Sequence, residues 1–271
     1  MSASLRRTIY IITSIFVLYI VGIFFIYIFI DFIVFSPVKH SQSQKYETPE
    51  GYKEIRLDHP NGQKFNMLCF KSRSQTKAHL LLLHGVAKSA DWWADYVPFF
   101  TERGFNVYLP DYRGYGKSEG RASEIGLYED AQISMGWLRN QTTEDSIVLY
   151  GIDLAACAAA YVSTISPCRQ VFLENPVYSL RSWMRRRFPL LMLPYELRYD
   201  FNLYEFLPNL ISPLTIICSR NNPDLNQEEV KSLQALLKDP GAWIWTDHTG
   251  SESIQRDPAY IRFFDQFSLS L

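Results

Sequence analysis

The chain has 271 residues, enough for one sizeable α/β domain with an additional segment. It carries 27 lysines and arginines against 28 aspartates and glutamates, which gives a net charge of −1 at pH 7. Nucleic-acid binding domains usually carry a basic excess, so we expect no nucleic-acid partner.

The amino terminus predicts a membrane anchor. Residues 9–30 contain no charged side chain and are mostly Ile, Phe, Val, Leu and Tyr, a run long enough to cross a bilayer. Bulky residues continue to Phe35 with no small-residue cleavage site, so the sequence favours an uncleaved anchor over 1–35 rather than a signal peptide. Because Arg6 and Arg7 precede the span, we expect a single-pass protein with its domain on the extracytoplasmic side.

A polar segment, 36–50, follows the anchor and predicts a linker, and 51–271 predicts one folded domain. The domain opens with two alternating segments, 54–57 and 64–70, on either side of the turn 59–62. This pattern predicts a β-hairpin at the antiparallel edge of a sheet.

The rest of the domain alternates short apolar runs with helical patterns. Such alternation predicts βαβ units and a mostly parallel sheet with helices on both faces. The predicted strands are 78–83, 105–109, 147–150, 170–173, 214–218 and 242–245, and the predicted helices are 90–103, 123–140, 154–161 and 226–238. The aromatic residues of the first helix are expected in the core.

The segment 177–209 fits no strand and predicts a cap over the sheet. It contains a basic and aromatic group of side chains. These are Arg181, Arg185, Arg186, Arg187, Trp183 and Phe188. They fit either a solvated lid helix or a surface that contacts anionic lipid head groups, since the domain is tethered near a bilayer.

One strand-to-helix turn dominates the functional interpretation. The sequence Gly151-Ile152-Asp153-Leu154-Ala155 lies between an apolar strand and an alanine-rich helix, with small residues two positions before and after its centre. This is the pattern of the nucleophile elbow, G-x-S-x-G, in which the strained turn needs small flanks. Asp153 occupies the position of the serine.

Three further signals accompany the elbow in a fixed order. His84-Gly85 ends a strand, a glycine-rich loop covers 111–120, and His248 follows the last strand. With the elbow, these motifs resemble the α/β-hydrolase family over about residues 54–271. Within the family, the chain is similar to the membrane-anchored serine hydrolases that include bud-emergence-type proteins and protein depalmitoylases.

The resemblance implies roles for individual residues. The backbone N–H groups of Val86 and Leu154 would form an oxyanion hole, and His248 would be the general base. The loop 111–120 would be structural. The resemblance also implies a lipid or acyl substrate. No motif implies a cofactor or a metal, and the oligomeric state is left open.

The acid that orients the histidine is altered as well. It should follow the strand 214–218, where the sequence has no Gly-x-x-Asp. Spacing assigns this position to Asn222, and Asp224 could serve if Pro223 displaces the loop. An asparagine can hold an imidazole ring but cannot offset its positive charge, so the change alone would cost on the order of 10⁴-fold in rate.

Three hypotheses follow for Asp153. In the first, the domain has weak or no esterase activity, and Asp153 is buried and held by the N–H groups of Val86 and Leu154. In the second, Asp153 is a nucleophile, as in haloalkane dehalogenases and epoxide hydrolases, and attacks carbon to form an ester that a histidine-activated water hydrolyses. In the third, the chain is an ordinary serine or cysteine esterase that hydrolyses esters or thioesters with a nucleophile elsewhere. Cys157 is a candidate, although it lies one helical turn past the elbow and should face the interior.

Two details of the sequence depart from the enzymes of the second hypothesis. Haloalkane dehalogenases and epoxide hydrolases usually have the motif His-Gly-x-Pro, and this chain has Ala87 in place of the proline. Dehalogenases also have a tryptophan directly after the nucleophile, where this chain has Leu154. Cap tyrosines could stand in for the pair that polarises an epoxide. They are Tyr178, Tyr195, Tyr199 and Tyr204.

Overall fold

The computed structural model describes residues 2–189, 197–237, 243–247 and 254–271. The strands in this part are β1 Lys53–Asp58, β2 Lys64–Phe70, β3 Ala78–Leu83, β4 Phe105–Pro110, β5 Ile147–Ile152, β6 Gln170–Glu174, β7 Leu214–Ser219 and β8 Trp243–Thr246. The helices are α1 Ala3–Val34, α2 Ala90–Trp93, α3 Val97–Thr101, α4 Glu124–Arg139, α5 Ala155–Ile165, α6 Leu180–Arg187, α7 Leu203–Phe206, α8 Gln227–Leu236 and α9 Pro258–Leu269.

The strands form one sheet in the order β1-β2-β4-β3-β5-β6-β7-β8. The pairs β1–β2 and β2–β4 are antiparallel, and every other pair is parallel. This arrangement confirms the predicted edge hairpin and the predicted parallel sheet. Since the carboxyl ends of the parallel strands lie at one edge of the sheet, the loops that follow them meet there.

The sheet has an apolar core on each face. In β3, Leu81 and Leu83 pack on one face and Leu80 and Leu82 on the other, as the two-residue period of a strand requires. Helices α4 and α5 cover the first face, and α2, α3 and α9 cover the second. Helix α9 has no counterpart among the predicted elements, and it packs Phe264 on the second face.

Capping residues explain where two predicted helices begin. The Ser123 hydroxyl accepts a hydrogen bond from the Gly126 N–H at the start of α4. Asn226 and Glu229 form a reciprocal capping box at the start of α8. Helix α8 ends at Leu236, and the predicted end of this helix lies outside the described residues.

The prediction of one continuous helix over 90–103 is wrong. Helices α2 and α3 are separated by a 3₁₀ turn, and Pro98 lies in the first turn of α3, a position that proline favours because the N–H it lacks would have no partner there. One aromatic residue of this segment also lies outside the predicted core. Trp92 is 43% exposed, whereas Trp93 is buried.

Helix α1 is long and apolar enough to cross a bilayer, by its length and composition. Most of its apolar side chains are exposed, and those of Ile30 and Val34 near its end are buried against the domain. Asp31 accepts hydrogen bonds from the side chains of Arg198 at 2.9 Å and Tyr199 at 2.8 Å. The end of α1 is therefore docked on the cap segment.

The segment 36–50 differs from the predicted polar linker. Ser36 forms a β-bridge with Ala87, Lys39 forms one with Gly116, and Tyr46 is buried. These contacts fix the segment because their backbone groups pair with the domain rather than with water. The chain between α1 and β1 is thus part of the folded domain.

Candidate active site

Asp153 lies at the sharp turn between β5 and α5. Its φ angle is 52°, a left-handed conformation that few residues other than glycine adopt. A side chain at Gly151 would come within 2.7 Å of the Ala159 Cβ and 2.8 Å of the Ala156 Cα. The glycine is therefore needed for the close approach of helix and strand, and the strained turn has the geometry expected of the elbow.

The Asp153 carboxylate stands in a cleft of about 610 Å³ at the carboxyl edge of the sheet. The side chain is exposed to solvent. No residue in the described part of the chain donates a hydrogen bond to its carboxylate. The expectation that Asp153 is buried and held by backbone N–H groups is therefore wrong, because the turn directs the side chain into the cleft.

The predicted oxyanion donors flank this carboxylate. A Cβ built on Gly85 would lie 3.1 Å from Asp153 Oδ2, so the carboxylate stands directly against Gly85, the residue before Val86. Within the described ranges, neither the Val86 N–H nor the Leu154 N–H donates to another backbone or side-chain oxygen. No acceptor among the described residues therefore takes up either donor beside the elbow.

The backbone after β3, residues 84–91, forms what we call the oxyanion-side loop. Three of its carbonyls accept hydrogen bonds from aromatic side chains. The Tyr112 hydroxyl donates to His84 at 2.8 Å, the Tyr115 hydroxyl to Val86 at 2.5 Å, and the Trp93 indole to Ala87 at 2.8 Å. The loop also contains Lys88 at φ 67°, a strained conformation that costs about 1–2 kcal/mol and that these bonds help to hold.

The loop after β7, residues 219–226, is the acid-side loop. Asn222 and Asp224 both line the cleft, and the Asp224 N–H donates to Asn222 Oδ1 at 2.9 Å. The Asn222 Nδ2 atom is buried and has no hydrogen-bond partner among the described residues. An amide thus occupies the predicted position of the acid, and the cap residue Arg186 donates to the Asp224 carbonyl.

The predicted base, His248, lies outside the described residues, as does Tyr195. The strand before the histidine is described: β8 pairs with β7 so that Thr246 stands beside Ser219. The histidine therefore follows a strand whose carboxyl end adjoins the acid-side loop.

Glu174, which the sequence interpretation left without a role, is a further residue of the site. It ends β6, lines the cleft and is only 1% exposed. Its carboxylate accepts hydrogen bonds from the hydroxyls of Tyr96 at 2.7 Å and Tyr150 at 2.5 Å, and its carbonyl accepts the Asp153 N–H at 3.0 Å. The available signal was a glutamate at the carboxyl end of a buried strand next to the elbow strand.

The cleft raises the pKa of both carboxylic acids. The surrounding protein, and then the charges of Glu174 and Asp224, raise the pKa of Asp153 to about 7. The carboxylate lines the cleft, where the surrounding protein replaces part of its hydration and disfavours its charged form. Burial raises the pKa of Glu174 to about 7 against the opposing effect of its tyrosine hydrogen bonds.

The sequence also singled out the loop 111–120 and Cys157, and both are held by contacts within the domain. In the loop 111–120, Asp111 is buried and accepts the Ala90 N–H at 2.8 Å, while Arg113 pairs with Asp130 at 2.7 Å. These contacts agree with a structural role for the loop. Cys157 is fully buried in α5 and does not line the cleft.

Comparison with known proteins assigns the fold family. The family model for the alpha/beta hydrolase fold matches residues 78–227, more than half of the chain. The chain belongs to the α/β-hydrolase family. This assignment agrees with the sheet order, the elbow and the cleft at the carboxyl edge.

Curated relatives share part of their length with this chain. An uncharacterized protein of Mycobacterium tuberculosis is 27% identical over 167 residues, 61% of this chain and 59% of the relative. Alpha/beta hydrolase domain-containing protein 17C of Xenopus laevis is 26% identical over 194 residues, 69% of this chain and 60% of the relative. An uncharacterized membrane protein of Saccharomyces cerevisiae is 37% identical over 97 residues, 34% of each. The chain therefore spans between 34% and 60% of these relatives.

Solved structures share the fold at low sequence identity. The esterase Pf2001 of Pyrococcus furiosus superposes with a TM-score of 0.67 at 20% identity, over 87% of this chain and 96% of the esterase. An alpha-beta hydrolase of Vibrio vulnificus gives a TM-score of 0.61 at 16% identity, over 87% and 95% of the two chains. At this level of identity the likeness concerns the fold.

Proposed function

We propose that this chain is a membrane-anchored α/β-hydrolase-fold protein with an altered triad, with weak or no activity on ordinary esters. The observation that carries this proposal is the carboxylate of Asp153 at the elbow, directly against Gly85 and next to the predicted oxyanion donor Val86. In its ionised form it opposes the second negative charge of an oxyanion there. In its protonated form it is no nucleophile.

The acid position supports the same conclusion. Asn222 cannot compensate the charge of an imidazolium, so a histidine-dependent step would lose its electrostatic partner. Asp224, the alternative acid, has its backbone tied to Asn222 and to Arg186. The nucleophile and the acid are thus both altered, whereas the Val86 and Leu154 N–H groups are unpaired within the described ranges.

Location and ligand are further parts of the proposal. Helix α1 is long and apolar enough to anchor the chain in a bilayer, and the yeast relative is named a membrane protein. The balance of Arg6 and Arg7 against the residues after the span supports an extracytoplasmic domain. The resemblance to membrane-anchored hydrolases supports a lipid or acyl compound as the ligand of the cleft.

Ester hydrolysis by the purified full-length protein in detergent tests the main proposal. We expect hydrolysis of p-nitrophenyl acetate and butyrate at the rate of the buffer and of the matched control Asp153→Asn. Hydrolysis above that rate by the wild-type protein, lost in His248→Ala, would overturn the proposal.

A second candidate function is hydrolysis with Asp153 as a nucleophile, and the exposure of its carboxylate favours it. A carboxylate oxygen would attack an electrophilic carbon, forming a C–O bond as the carbon–halogen or epoxide C–O bond breaks. The halide leaves as an anion, or the epoxide oxygen takes a proton from a water molecule in the cleft. Water activated by His248 would then cleave the alkyl ester and regenerate the aspartate.

Mass spectrometry tests this candidate. Since hydrolysis of the ester needs a base and the attack does not, His248→Ala should accumulate a covalent adduct on Asp153 with epoxides or haloalkanes. The double variant Asp153→Asn/His248→Ala is the matched control and should remain unmodified. An unmodified His248→Ala protein after prolonged incubation counts against the nucleophile.

A further inference from the structure

The residues between the membrane helix and the hairpin form a strap, residues 36–46, that contacts the oxyanion-side loop. The Ser36 N–H donates to the Val86 carbonyl at 3.1 Å, and the Lys88 N–H donates to the Ser36 carbonyl at 2.9 Å. Together with the bridge to Ala87, these bonds make a short parallel strand pairing. The strap therefore joins backbone that lines the cleft.

A second part of the strap binds the structural loop. The Gly116 N–H donates to the Val38 carbonyl at 2.7 Å, and the His40 N–H donates to the Gly116 carbonyl at 2.8 Å. The His40 ring returns to the oxyanion-side loop, with Nε2 3.1 Å from Ser89 Oγ and 3.0 Å from Asp91 Oδ2. The strap thus contacts the first half of the oxyanion-side loop through Ser36 and the second half through His40.

The last strap residue reaches the beginning of α2 through a buried carboxylate. Tyr46 is 3% exposed, and its hydroxyl donates to Asp111 and accepts from the Lys117 N–H at 3.1 Å. Asp111 in turn accepts the Ala90 N–H. Removing the Tyr46 hydroxyl would leave a buried carboxylate short of one donor, so this contact bears on the loop as well.

We propose that the strap positions the oxyanion-side loop, with Ser36 and Tyr46 as positioning residues. Helix α1 and the backbone that lines the cleft are then rigidly connected through the strap. Helix α1 ends only two residues before Ser36, and its last turn is held by Asp31 on the cap. The inference rests on the proposed function in one respect, the assignment of the Val86 N–H as an oxyanion donor.

The oxyanion-side loop is also held by hydrogen bonds from within the domain. Because these bonds remain when the strap is removed, the contribution of the strap can be measured separately. Tyr115 and Trp93 hold the Val86 and Ala87 carbonyls from within the domain. The strap supplies the second donor to Val86 and the acceptor for Lys88, the residue in the left-handed conformation. Losing the strap should therefore loosen residues 86–91 while the sheet beneath them stays folded.

Hydrogen exchange of the full chain in nanodiscs tests this proposal. Ser36→Pro removes the donor N–H, and the preceding Phe35 (φ −107°, ψ 125°) already has the extended conformation that a following proline requires. We expect exchange of residues 84–91 to rise about tenfold while that of 147–152 is unchanged. Ser36→Ala, which keeps the backbone bonds, is the control and should match the wild type. Unchanged exchange of the loop in Ser36→Pro would overturn the proposal.

A second variant and a second readout separate positioning from general stability. Tyr46→Phe removes one hydroxyl and keeps the ring, so it serves if the proline variant does not fold. In both variants we expect the pH midpoint for carbodiimide labelling of Asp153 to fall by about one unit, because an opened loop hydrates the carboxylate. An unchanged midpoint together with faster loop exchange would contradict the link to the cleft. Neither readout needs ester hydrolysis, so esterase activity in the wild type would overturn the proposed function and leave this inference standing.

Discussion

The two loops that border the cleft are held in different ways. The oxyanion-side loop is fixed by backbone pairing with the strap and by three aromatic donors, and its Val86 N–H has no acceptor among the described residues. The acid-side loop is tied to the cap by Arg186, and its residue at the acid position is an amide with a buried, unpartnered Nδ2 within the described residues. On the proposed function, the loop assigned to oxyanion binding is therefore the more firmly supported of the two, and the proposed changes fall at the elbow and in the acid-side loop.

Placing a serine at position 153 and an aspartate at position 222 should have the largest effect and would remove the proposed difference between the two loops. We expect Asp153→Ser/Asn222→Asp to hydrolyse p-nitrophenyl butyrate on the order of 10³ to 10⁴-fold faster than Asp153→Ser alone, because a carboxylate then offsets the imidazolium charge. Initial rates of the two purified variants measure the ratio. Equal rates would mean that Asn222 does not lie at the acid position.

The structural loop beside the strap gives the next largest effect. Gly116 has a φ angle of 45°, and a Cβ there would overlap the carboxylate of Asp111. We expect Gly116→Ala to lower the free energy of unfolding by about 3 kcal/mol or more, measured by denaturant titration.

Gly136 is the matched control, since it lies in α4 with open space around the added methyl group. We expect Gly136→Ala to raise the free energy of unfolding by about 0.5–1 kcal/mol through helix propensity. The same loss in both variants would show that Gly116 is not constrained by Asp111.

The sequence predicted the scaffold of the site better than its contacts. The elbow was recognisable because Gly151 must be small against Ala159, and the strand ends followed from short apolar runs. Three features could not be predicted, and two of them depend on contacts between residues distant in sequence. The strap was predicted to be a linker because its polar side chains conceal the backbone pairing of Ser36 and His40. The exposure of Asp153 depends on the direction of one strained residue, and the role of Glu174 depends on Tyr96, 78 residues away.

The dependence of stability on pH tests the buried carboxylic acid Glu174. This residue ends β6, the strand between the elbow strand and the strand that leads into the acid-side loop. Since folding raises the pKa of Glu174 from its usual 4.5 to about 7, the folded state binds more protons than the unfolded chain between these values. The free energy of unfolding should therefore fall as the pH rises through this interval and level off above it.

We expect Glu174→Gln to reduce this fall by about 2 kcal/mol, measured by denaturant titration at pH 5 and pH 8. Glu228→Gln, an exposed residue on α8, is the control and should leave the fall unchanged. A wild-type protein whose stability is level from pH 5 to pH 8 would contradict the buried carboxylic acid.

The smallest effect concerns the tie between the cap and the acid-side loop. The Arg186 guanidinium pairs with Glu229 at 2.6 Å and donates to the Asp224 carbonyl, and both side chains of the pair are largely buried. Since Arg186→Gln leaves a shielded carboxylate without its partner, we expect it to lower the free energy of unfolding by about 1–2 kcal/mol.

The exposed pair of Arg139 and Glu144, at 3.4 Å, supplies the control, and Arg139→Gln should change that free energy by less than about 0.5 kcal/mol. Denaturant titration of both variants, with hydrogen exchange of residues 219–226, measures the difference. If the two substitutions cost the same and the exchange of the loop does not rise in Arg186→Gln, the acid-side loop is held without the cap, and the contrast between the two loops would have to be explained by their backbones alone.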